Sequence, residues 1–450
     1  MRYSDLFFTL SSTFILLALI GCSVSENKSH LQQRAQSNLV NITTWHYQQQ
    51  NATSATQLTE LIDIPQLTQL VKQAVSNNPD AQQMAMNLKI AYAQRGIVNS
   101  DRIPQATTEI NSHKHKENSI SHNSEIRVSW EIDLWQKIQN TVDAANMDIA
   151  SAQANYQATL DTLIANIMRT WLAISLQKQL IEIEESRLKS LTDNETFIIK
   201  RYRNGLGSLE DLDNARSSSA TTQATLANYR EQLSQNKRTL SLLLGEAPEK
   251  RAIQISSEFP TVLQPLANIP AQDLARRPDL QSAYHLIIAE QYRTQAAYKA
   301  LLPSINLSAA FTGEELFNNP VWELLGQLTA PLFLGGKLRA QAEIAQLTAE
   351  KAYWNYQSTL LNAVNEVENT LGQEQSLSRQ QQHIHQALQT AKRSFIHYQK
   401  KYSQGLVDII ELLATQQRTF NLQSQLTQLI YNRLTNRIDL GLALGLGVTS

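Results

Sequence analysis

Residues 125–156 read EIRVSWEIDLWQKIQNTVDAANMDIASAQANY, and the spacing of the apolar side chains changes within this stretch. From 125 to 135 apolar and polar residues alternate strictly, which is the two-residue period of a strand with one apolar face. From 138 onward the apolar positions are separated by four and three residues in turn, the heptad spacing of a helix packed against another helix. The stretch therefore predicts a strand that leads directly into a coiled-coil helix. The apolar helix positions are Ile138, Val142, Ala145, Ile149, Ala152 and Tyr156.

The predicted helix is unusually long. No Pro or Gly interrupts residues 137–203, so one helix can extend for roughly 100 Å at 1.5 Å per residue. Residues 337–403 repeat the same apolar steps from Leu338, with only Gly372 inside. Helices of this length are not those of a compact enzyme domain. A lipid-tethered, spectrin-like periplasmic scaffold is the alternative from another class.

The chain repeats itself at an offset of 199 to 200 residues, which predicts two copies of one unit. We place the first copy at 66–245, with strands at about 105–113 and 125–135, and the second at 271–445, with strands at about 304–312 and 324–333. The proline-rich segment 246–270 is the predicted linker, and 446–450 is a tail. Each copy has the order helix, two strands, very long helix, helix. The matching positions are Pro79-Asp80 and Pro278-Asp279, Pro104 and Pro303, Lys137 and Lys337, Tyr202 and Tyr402, and Gly205 and Gly405.

The strands have the length and alternation of a membrane-spanning β-barrel, with one face for lipid and the other for water. An ordinary half-buried sheet is the alternative. Four strands do not close a barrel, and an open sheet edge in lipid leaves N–H and C=O groups unpaired. The chain is therefore expected to assemble with copies of itself, and spacing alone leaves two, three or four copies open.

The N-terminus predicts export and lipidation. Residues 1–21 have the short apolar core of a signal peptide, and Leu19-Ile20-Gly21-Cys22 resembles the bacterial lipobox. Cys22, the single cysteine of the chain, is the predicted site of the covalent lipid, and Ser23 in place of Asp favours the outer membrane. Residues 22–65 are then a lipid-anchored N-terminal segment. An ordinary export signal followed by a free Cys22 is the alternative.

Composition and motifs argue against several other classes. A formal net charge of −1 gives no electrostatic surface for nucleic acid, and one cysteine excludes a disulfide framework or a thiolate cluster. The motifs H-E-x-x-H, G-x-S-x-G, G-x-x-x-x-G-K-[ST] and C-x-x-C are absent, so neither an enzyme nor a cofactor beyond the lipid is predicted. His113, His115 and His122 have no carboxylate or Cys to complete a site, and His383, His385 and His397 have equally weak claims. No metal site is predicted.

Five motifs in order are similar to those of one family: VSWEIDLWQKI at 128–138, LLLGEAP at 242–248, ARRPDL at 275–280, PLFLGGKLRAQA at 331–342 and YSQG at 402–405. The chain resembles the TolC-type outer-membrane efflux proteins, in the lipoprotein branch typified by OprM and NodT. The resemblance implies a mainly α fold with a membrane β-barrel contribution. It implies a homotrimer with a 12-stranded barrel in the outer membrane, continuous with a periplasmic α-helical coiled-coil tunnel. It also implies a periplasmic adaptor, an inner-membrane resistance-nodulation-division pump, and export of small molecules such as drugs. A type I secretion-type duct for proteins is the alternative, which the lipobox and ARRPDL disfavour.

The resemblance also implies a gate at the two periplasmic turns, Gly205 and Gly405. The gate candidates, from which three copies would form a carboxylate ring, are Asp211, Tyr402, Asp408 and Glu411. Helix capping is the alternative for the acids, because Ser208 with Asp211 and Asp408 with Glu411 have capping-box spacing. Packing of the last helical turn is the alternative for Tyr402. The chain departs from the family at Leu413-Ala414-Thr415-Gln416, where many members carry Asp, and at Val407, where a basic residue is usual.

Overall fold

The computed structural model describes residues 30–40, 45, 58, 61–62, 64, 66–114, 121–205, 207–247, 255–260, 271–313 and 321–447. The predicted signal peptide, Cys22, His115 and most of the predicted linker lie outside these residues. The helices are α1 Leu31–Val40, α2 Leu67–Asn77, α3 Pro79–Ser100, α4 Lys137–Arg203, α5 Leu209–Leu243, α6 Pro278–Lys299, α7 Lys337–Ser403 and α8 Ile409–Ala443. The strands are β1 Gln105–His113, β2 Ser121–Ile132, β3 Ser304–Gly313 and β4 Val321–Thr329.

The two long helices are confirmed. Helices α4 and α7 have 67 residues each, and α5 and α8, which follow them, have 35 each. We call α4 with α5 the first hairpin and α7 with α8 the second hairpin. No helix of the described residues contains an apolar stretch long enough to cross a membrane.

The four strands form one antiparallel sheet in the order β1-β2-β3-β4. In the register, Ile126 pairs with Phe311 and Phe311 with Trp322, so the apolar positions of neighbouring strands share a face. Glu109 pairs with Glu125 and Arg127 with Ala310 on the opposite face. The apolar face carries Ile110, Ile126, Val128, Trp130, Ile132, Ile305, Leu307, Ala309, Phe311, Trp322, Leu324 and Leu328.

The predicted bounds of two strands are wrong at both ends. The strand expected at 125–135 is Ser121–Ile132, because Asp133 leaves the strand to cap α4, where it accepts the N–H groups of Ile138 (3.0 Å) and Gln139 (2.7 Å). The strand expected at 324–333 is Val321–Thr329, which begins where it can pair with β3 and ends before Pro331, which has no N–H to donate. The strand expected at 304–312 extends one residue further, to Gly313, while 105–113 matches β1.

The chain divides into two compact units. The first contains the sheet, α1 up to Asn38, α6 from Asp279, and the parts of α3, α4 and α7 nearest the sheet in sequence. Within it, α1 lies on an aromatic surface, where the Nδ2 of Asn38 donates to the hydroxyl of Tyr353 (3.0 Å) and the guanidinium of Arg34 lies 4.6 Å from the same ring.

The second unit contains α2, the remaining parts of α3, α4 and α7, and the helices α5 and α8. Its largest fully buried side chains are Leu58, Ile62, Ile164, Ile167, Met168, Leu172, Ile174, Ile198, Leu240, Leu244 and Leu274.

Each repeat closes on itself at equivalent positions. Helices α5 and α8 end in Gly245 (φ +70°) and Gly445 (φ +72°), conformations that favour glycine. In the first repeat the Nδ2 of Asn78 donates to the carbonyl oxygen of Leu243, and in the second the Nη1 of Arg277 donates to that of Ala443, both at 3.0 Å. The ARRPDL motif therefore has a structural role, which is to hold the end of the last helix of its own repeat.

Candidate functional site

The two predicted turns have the same backbone geometry. Gly205 follows α4 with φ +69°, and Gly405 follows α7 with φ +75°. Each glycine N–H donates to the carbonyl oxygen three residues earlier, at 3.0 Å, and Leu406 also donates to Lys401 at 3.0 Å. These bonds form the glycine-terminated C-cap that ends a helix sharply. The two hairpins therefore turn at the predicted residues.

The two turns differ in how the next helix begins. In the first hairpin a complete capping box is present: the N–H of Asp211 donates to Ser208 Oγ (3.1 Å), and the N–H of Ser208 donates to Asp211 Oδ2 (3.2 Å). In the second, Asp408 occupies the N-cap of α8 but its side chain makes no capping hydrogen bond. The capping-box interpretation is confirmed for Asp211 and wrong for Asp408 with Glu411. A box at 408 and 411 would bring two carboxylates together, and like charges repel, whereas Ser208 adds no charge.

Tyr402 packs at the centre of the hairpin tips. It lies in an apolar cluster with Ile198 of α4, Leu212 of α5 and Ile409 of α8. The rings of Phe197 and Tyr402 form an edge-to-face contact, with their centroids 5.4 Å apart. Burial raises the pKa of the Tyr402 hydroxyl, the Arg201 guanidinium opposes this shift, and Asp211 and Asp408 add to it. Three of the four gate candidates are therefore close enough to interact electrostatically, while Glu411 lies exposed on α8.

Polar residues join the hairpins beyond the tips, and the sequence did not single them out. Asn194 donates to Gln416 (2.8 Å), a side chain only 1% exposed, and Arg187 donates to Asn421 (2.7 Å). The guanidinium of Arg201 lies 5.5 Å from the ring of Tyr402. The α4 positions 187, 194, 198 and 201 are separated by seven, four and three residues, so a heptad analysis extended along the helix would have placed them on one face.

The exposed surfaces of the sheet have opposite chemistry. On the apolar face, Trp130, Phe311, Trp322 and Leu324 are exposed. On the opposite face lie Glu109, Glu125, Arg127, Glu131 and Glu323, together with the apolar residues Ala310 of β3 and Val321 and Leu325 of β4. An apolar face with aromatic side chains opposite a charged face is the pattern of a sheet between lipid and water.

Two helices of the same unit carry apolar stripes that remain exposed among the described residues. On α3 the exposed residues are Met86, Ile90 and Ile97, and on α7 they are Ile344, Leu347 and Trp354. Steps of three, four and seven residues keep each set on one side of its helix. We call these the α3 stripe and the α7 stripe.

The histidine positions do not converge. His113 pairs with Ser121 and His122 with Ser112, so the two histidines lie on opposite faces of the sheet. Within the part of the chain that the structure describes, no three His, Cys, Asp or Glu side chains are grouped in a way that could hold a metal ion.

A family model described as "Outer membrane efflux protein" matches residues 70–246 and 269–446, that is, most of the chain in two copies. The chain belongs to the outer membrane efflux protein family. It acts at the outer membrane, and its function is efflux across that membrane as an exit channel.

Curated relatives of the efflux chain cover almost its whole length. It is 26% identical over 399 residues to the probable outer membrane lipoprotein SilC of Salmonella typhimurium, covering 85% of this chain and 86% of SilC. It is 26% identical over 456 residues to the cation efflux system protein CusC of Escherichia coli K12, covering 96% and 98%. The outer-membrane channel OprN has the same fold, with a TM-score of 0.81 at 20% identity, covering 90% of this chain and 95% of OprN.

Proposed function

We propose that this efflux protein is a lipid-anchored homotrimer, acylated at Cys22, that receives small molecules from an inner-membrane resistance-nodulation-division pump through a periplasmic adaptor. The observation that carries the proposal is the four-stranded sheet of an efflux-family chain, with one apolar exposed face, one charged face and two open edges. Such a sheet is stable in lipid only if its edges are paired.

The sheet edges and the unpartnered helix stripes support one mode of assembly. Strands β1 and β4 are the edge strands, and each is adjacent in sequence to a helix with an exposed stripe. Helix α3 ends at Ser100, shortly before β1, and α7 begins at Lys337, shortly after β4. If β1 of one copy pairs with β4 of the next, the α3 stripe lies beside the α7 stripe of that neighbour. The two surfaces differ, so the contact is head-to-tail, and it forms a closed ring when the rotation between successive copies closes.

Disulfide cross-linking tests this assembly. Ile90 lies as many residues from the sheet end of α3 as Leu347 does from the sheet end of α7. We expect Ile90→Cys with Leu347→Cys to give covalent dimers and trimers on oxidation, since the acylated Cys22 has no free thiol. Tyr92→Cys with Leu347→Cys is the matched control, because Tyr92 is exposed on the opposite side of α3. Equal cross-linking in both variants, or none in either, would contradict the proposed interface.

The gate is proposed at the hairpin tips, at Gly205, Gly405, Asp211, Tyr402, Asp408 and Glu411. Its support is the proximity of Tyr402 to Asp211 and Asp408, in a chain of an efflux family. Three copies would bring these acids around one axis, where repulsion among the carboxylates favours separation of the tips.

The proposed cargo is a small molecule, and the names of relatives indicate several chemical classes to test. CusC is named as a cation efflux protein, SrpC of Pseudomonas putida as part of a solvent efflux pump and OpmQ of the same species as a pyoverdine exporter. The deciding experiment compares a strain lacking this protein with its complemented parent for sensitivity to drugs, solvents, silver and copper. Sensitivity to one class identifies the cargo. Unchanged sensitivity with loss of a secreted protein from the medium would instead support the protein-export duct.

A further inference from the structure

An ion pair is buried where α4, α5 and α8 meet in the second unit. Glu184 of α4 is 2% exposed, and its Oε2 lies 3.4 Å from Nη1 of Arg187. Arg187 reaches α8, where its Nη2 donates to Oδ1 of Asn421 (2.7 Å) and its guanidinium lies 5.5 Å from the ring of Phe420. Tyr229 of α5 packs against the same apolar cluster as Phe420. The pair therefore contacts the junction between the first hairpin and α8.

The pair is incompletely satisfied. Among the described residues, neither Oε2 of Glu184 nor Nε of Arg187 has a hydrogen-bond partner. A charge-assisted hydrogen bond is typically about 2.7–2.9 Å long, so 3.4 Å is a weak contact. A buried carboxylate with one weak partner carries a desolvation cost that the attraction does not offset. The junction is therefore less stable with a charged Glu184 than with a neutral one.

Few groups near Glu184 can titrate or carry charge. Arg187 faces it from α4 and Tyr229 from α5, while α8 contributes Phe420 and Asn421, which do not titrate. Burial raises the pKa of Glu184, and Arg187 opposes that shift only in part. Burial also lowers the pKa of Arg187 and raises that of Tyr229. An arginine guanidinium is not deprotonated in proteins.

We propose that Glu184 and Arg187 form a proton-sensitive joint between the first hairpin and α8, which holds the helices together more firmly when Glu184 is protonated. The inference rests on the proposed function in one respect: in a working duct, loosening of this joint raises the basal conductance. No other part of the proposed assembly is needed for it.

The direction of the effect follows from linkage. When α8 separates from α4, water reaches Glu184 and its pKa falls towards the ordinary carboxylate value. The joined state therefore binds the proton more tightly, and acid favours it. This contribution is fully present below the ordinary carboxylate pKa of 4.5 and is lost as the pH rises through the higher value of the joined state. One carboxyl changes the equilibrium by at most about tenfold per pH unit.

The experiment measures basal conductance of the full-length protein in planar bilayers from pH 4.5 to 8. We expect the conductance of the wild type to rise with pH, and that of Glu184→Gln to stay low with a flat profile over the same range. Glu185→Gln is the matched control, because Glu185 is half exposed and pairs with Arg230 on the surface (2.9 Å). It should keep the wild-type profile. A wild-type profile in Glu184→Gln, or an equal change in Glu185→Gln, would overturn the inference.

A second measurement works without conductance and without a variant. Hydrogen exchange of the wild type, corrected for the intrinsic pH dependence of amide exchange, should show more protection around Phe420 to Ser424 at pH 5 than at pH 7.5. Residues 436–440 of the same helix serve as the internal reference. Constant protection at 420–424 would also overturn the joint. Absence of conductance at every pH with the expected exchange would count against the proposed duct and leave the joint supported.

Discussion

Replacing Gly245 with Ala tests whether the end of α5 is held tightly against the end of α2. A Cβ at this position would lie 2.3 Å from the carbonyl oxygen of Asn77 and 2.5 Å from its carbonyl carbon. Asn77 does not yield easily, because the adjoining Asn78 is fixed through its N–H to Ala74 (2.7 Å) and through its Nδ2 to Leu243 (3.0 Å). The obstacle is backbone, so no rotamer change removes it.

Two terms set the magnitude. A residue with a Cβ at positive φ costs about 1–2 kcal/mol, of which about 0.4–1 kcal/mol is offset by the lower entropy of the unfolded chain. Gly205→Ala, at φ +69° with no atom within 4 Å of the added Cβ, has only these terms and should cost about 1 kcal/mol. Gly245→Ala, at φ +70°, adds overpacking of about 1–3 kcal/mol. Gly445→Ala should fall between them, because its Cβ would lie 3.0 Å from the backbone nitrogen of Arg277.

The assay is urea unfolding of the purified full-length protein in detergent, followed by far-ultraviolet circular dichroism. The predicted loss of stability is smallest for Gly205→Ala, larger for Gly445→Ala and largest for Gly245→Ala. If Gly245→Ala is not recovered as folded protein, the comparison of Gly445→Ala with Gly205→Ala still tests the reasoning. Equal midpoints for all three variants would refute it, because the backbone conformation would then account for the whole effect.

Two further predictions concern charged side chains. Arg277→Met should lower the free energy of unfolding by about 2–3 kcal/mol, because it removes the donor to Ala443 and the ion pair with Glu366 (2.8 Å); Arg276→Met, at an exposed neighbour, should cost far less in the same urea assay. Asp211→Ala combined with Glu411→Ala should lower basal conductance in planar bilayers, because it removes carboxylates whose repulsion favours separation of the tips. Ser208→Ala is the control, since it disrupts the same capping box without changing charge. Unchanged conductance in the folded double variant would leave Asp211 as a helix cap and Glu411 as a surface acid.

Local signals predicted most of the helical architecture. The bounds of α4 and α7 follow from uninterrupted helix-forming sequence that ends just before Gly205 and Gly405. A glycine at positive φ needs no distant partner, so its effect is visible in sequence. Because the chain repeats itself at a fixed offset, each prediction for one copy also applied to the other.

Features that depend on residues far apart in the chain could not be predicted from the sequence. The end of β2 depends on whether Asp133 continues the strand or caps α4, and alternation of residue types does not decide between them. At the tips, spacing alone treated Ser208 and Asp408 alike, although only Ser208 forms the box. The bond between Asn194 and Gln416 joins residues more than 200 positions apart, and neither residue type signals it.

The two repeats share a fold but differ in their contacts with α1. In the second repeat two tyrosines hold α1: Gln36 donates to the hydroxyl of Tyr284 (2.8 Å), and Asn38 donates to that of Tyr353 (3.0 Å). Their counterparts in the first repeat by sequence offset are Ala85 and Gln153, which have no ring to offer.

The asymmetry continues in the second unit, where the first hairpin has a closed capping box and the second hairpin has none. Two pairs of polar side chains, Asn194 with Gln416 and Arg187 with Asn421, lie in the interface between α4 and α8. Such groups regain hydrogen bonds to water when the helices separate, so their separation costs less than that of an apolar interface. Helix α8 begins without a side-chain cap and contacts α4 in part through polar groups. We therefore expect the second hairpin to move more easily than the first.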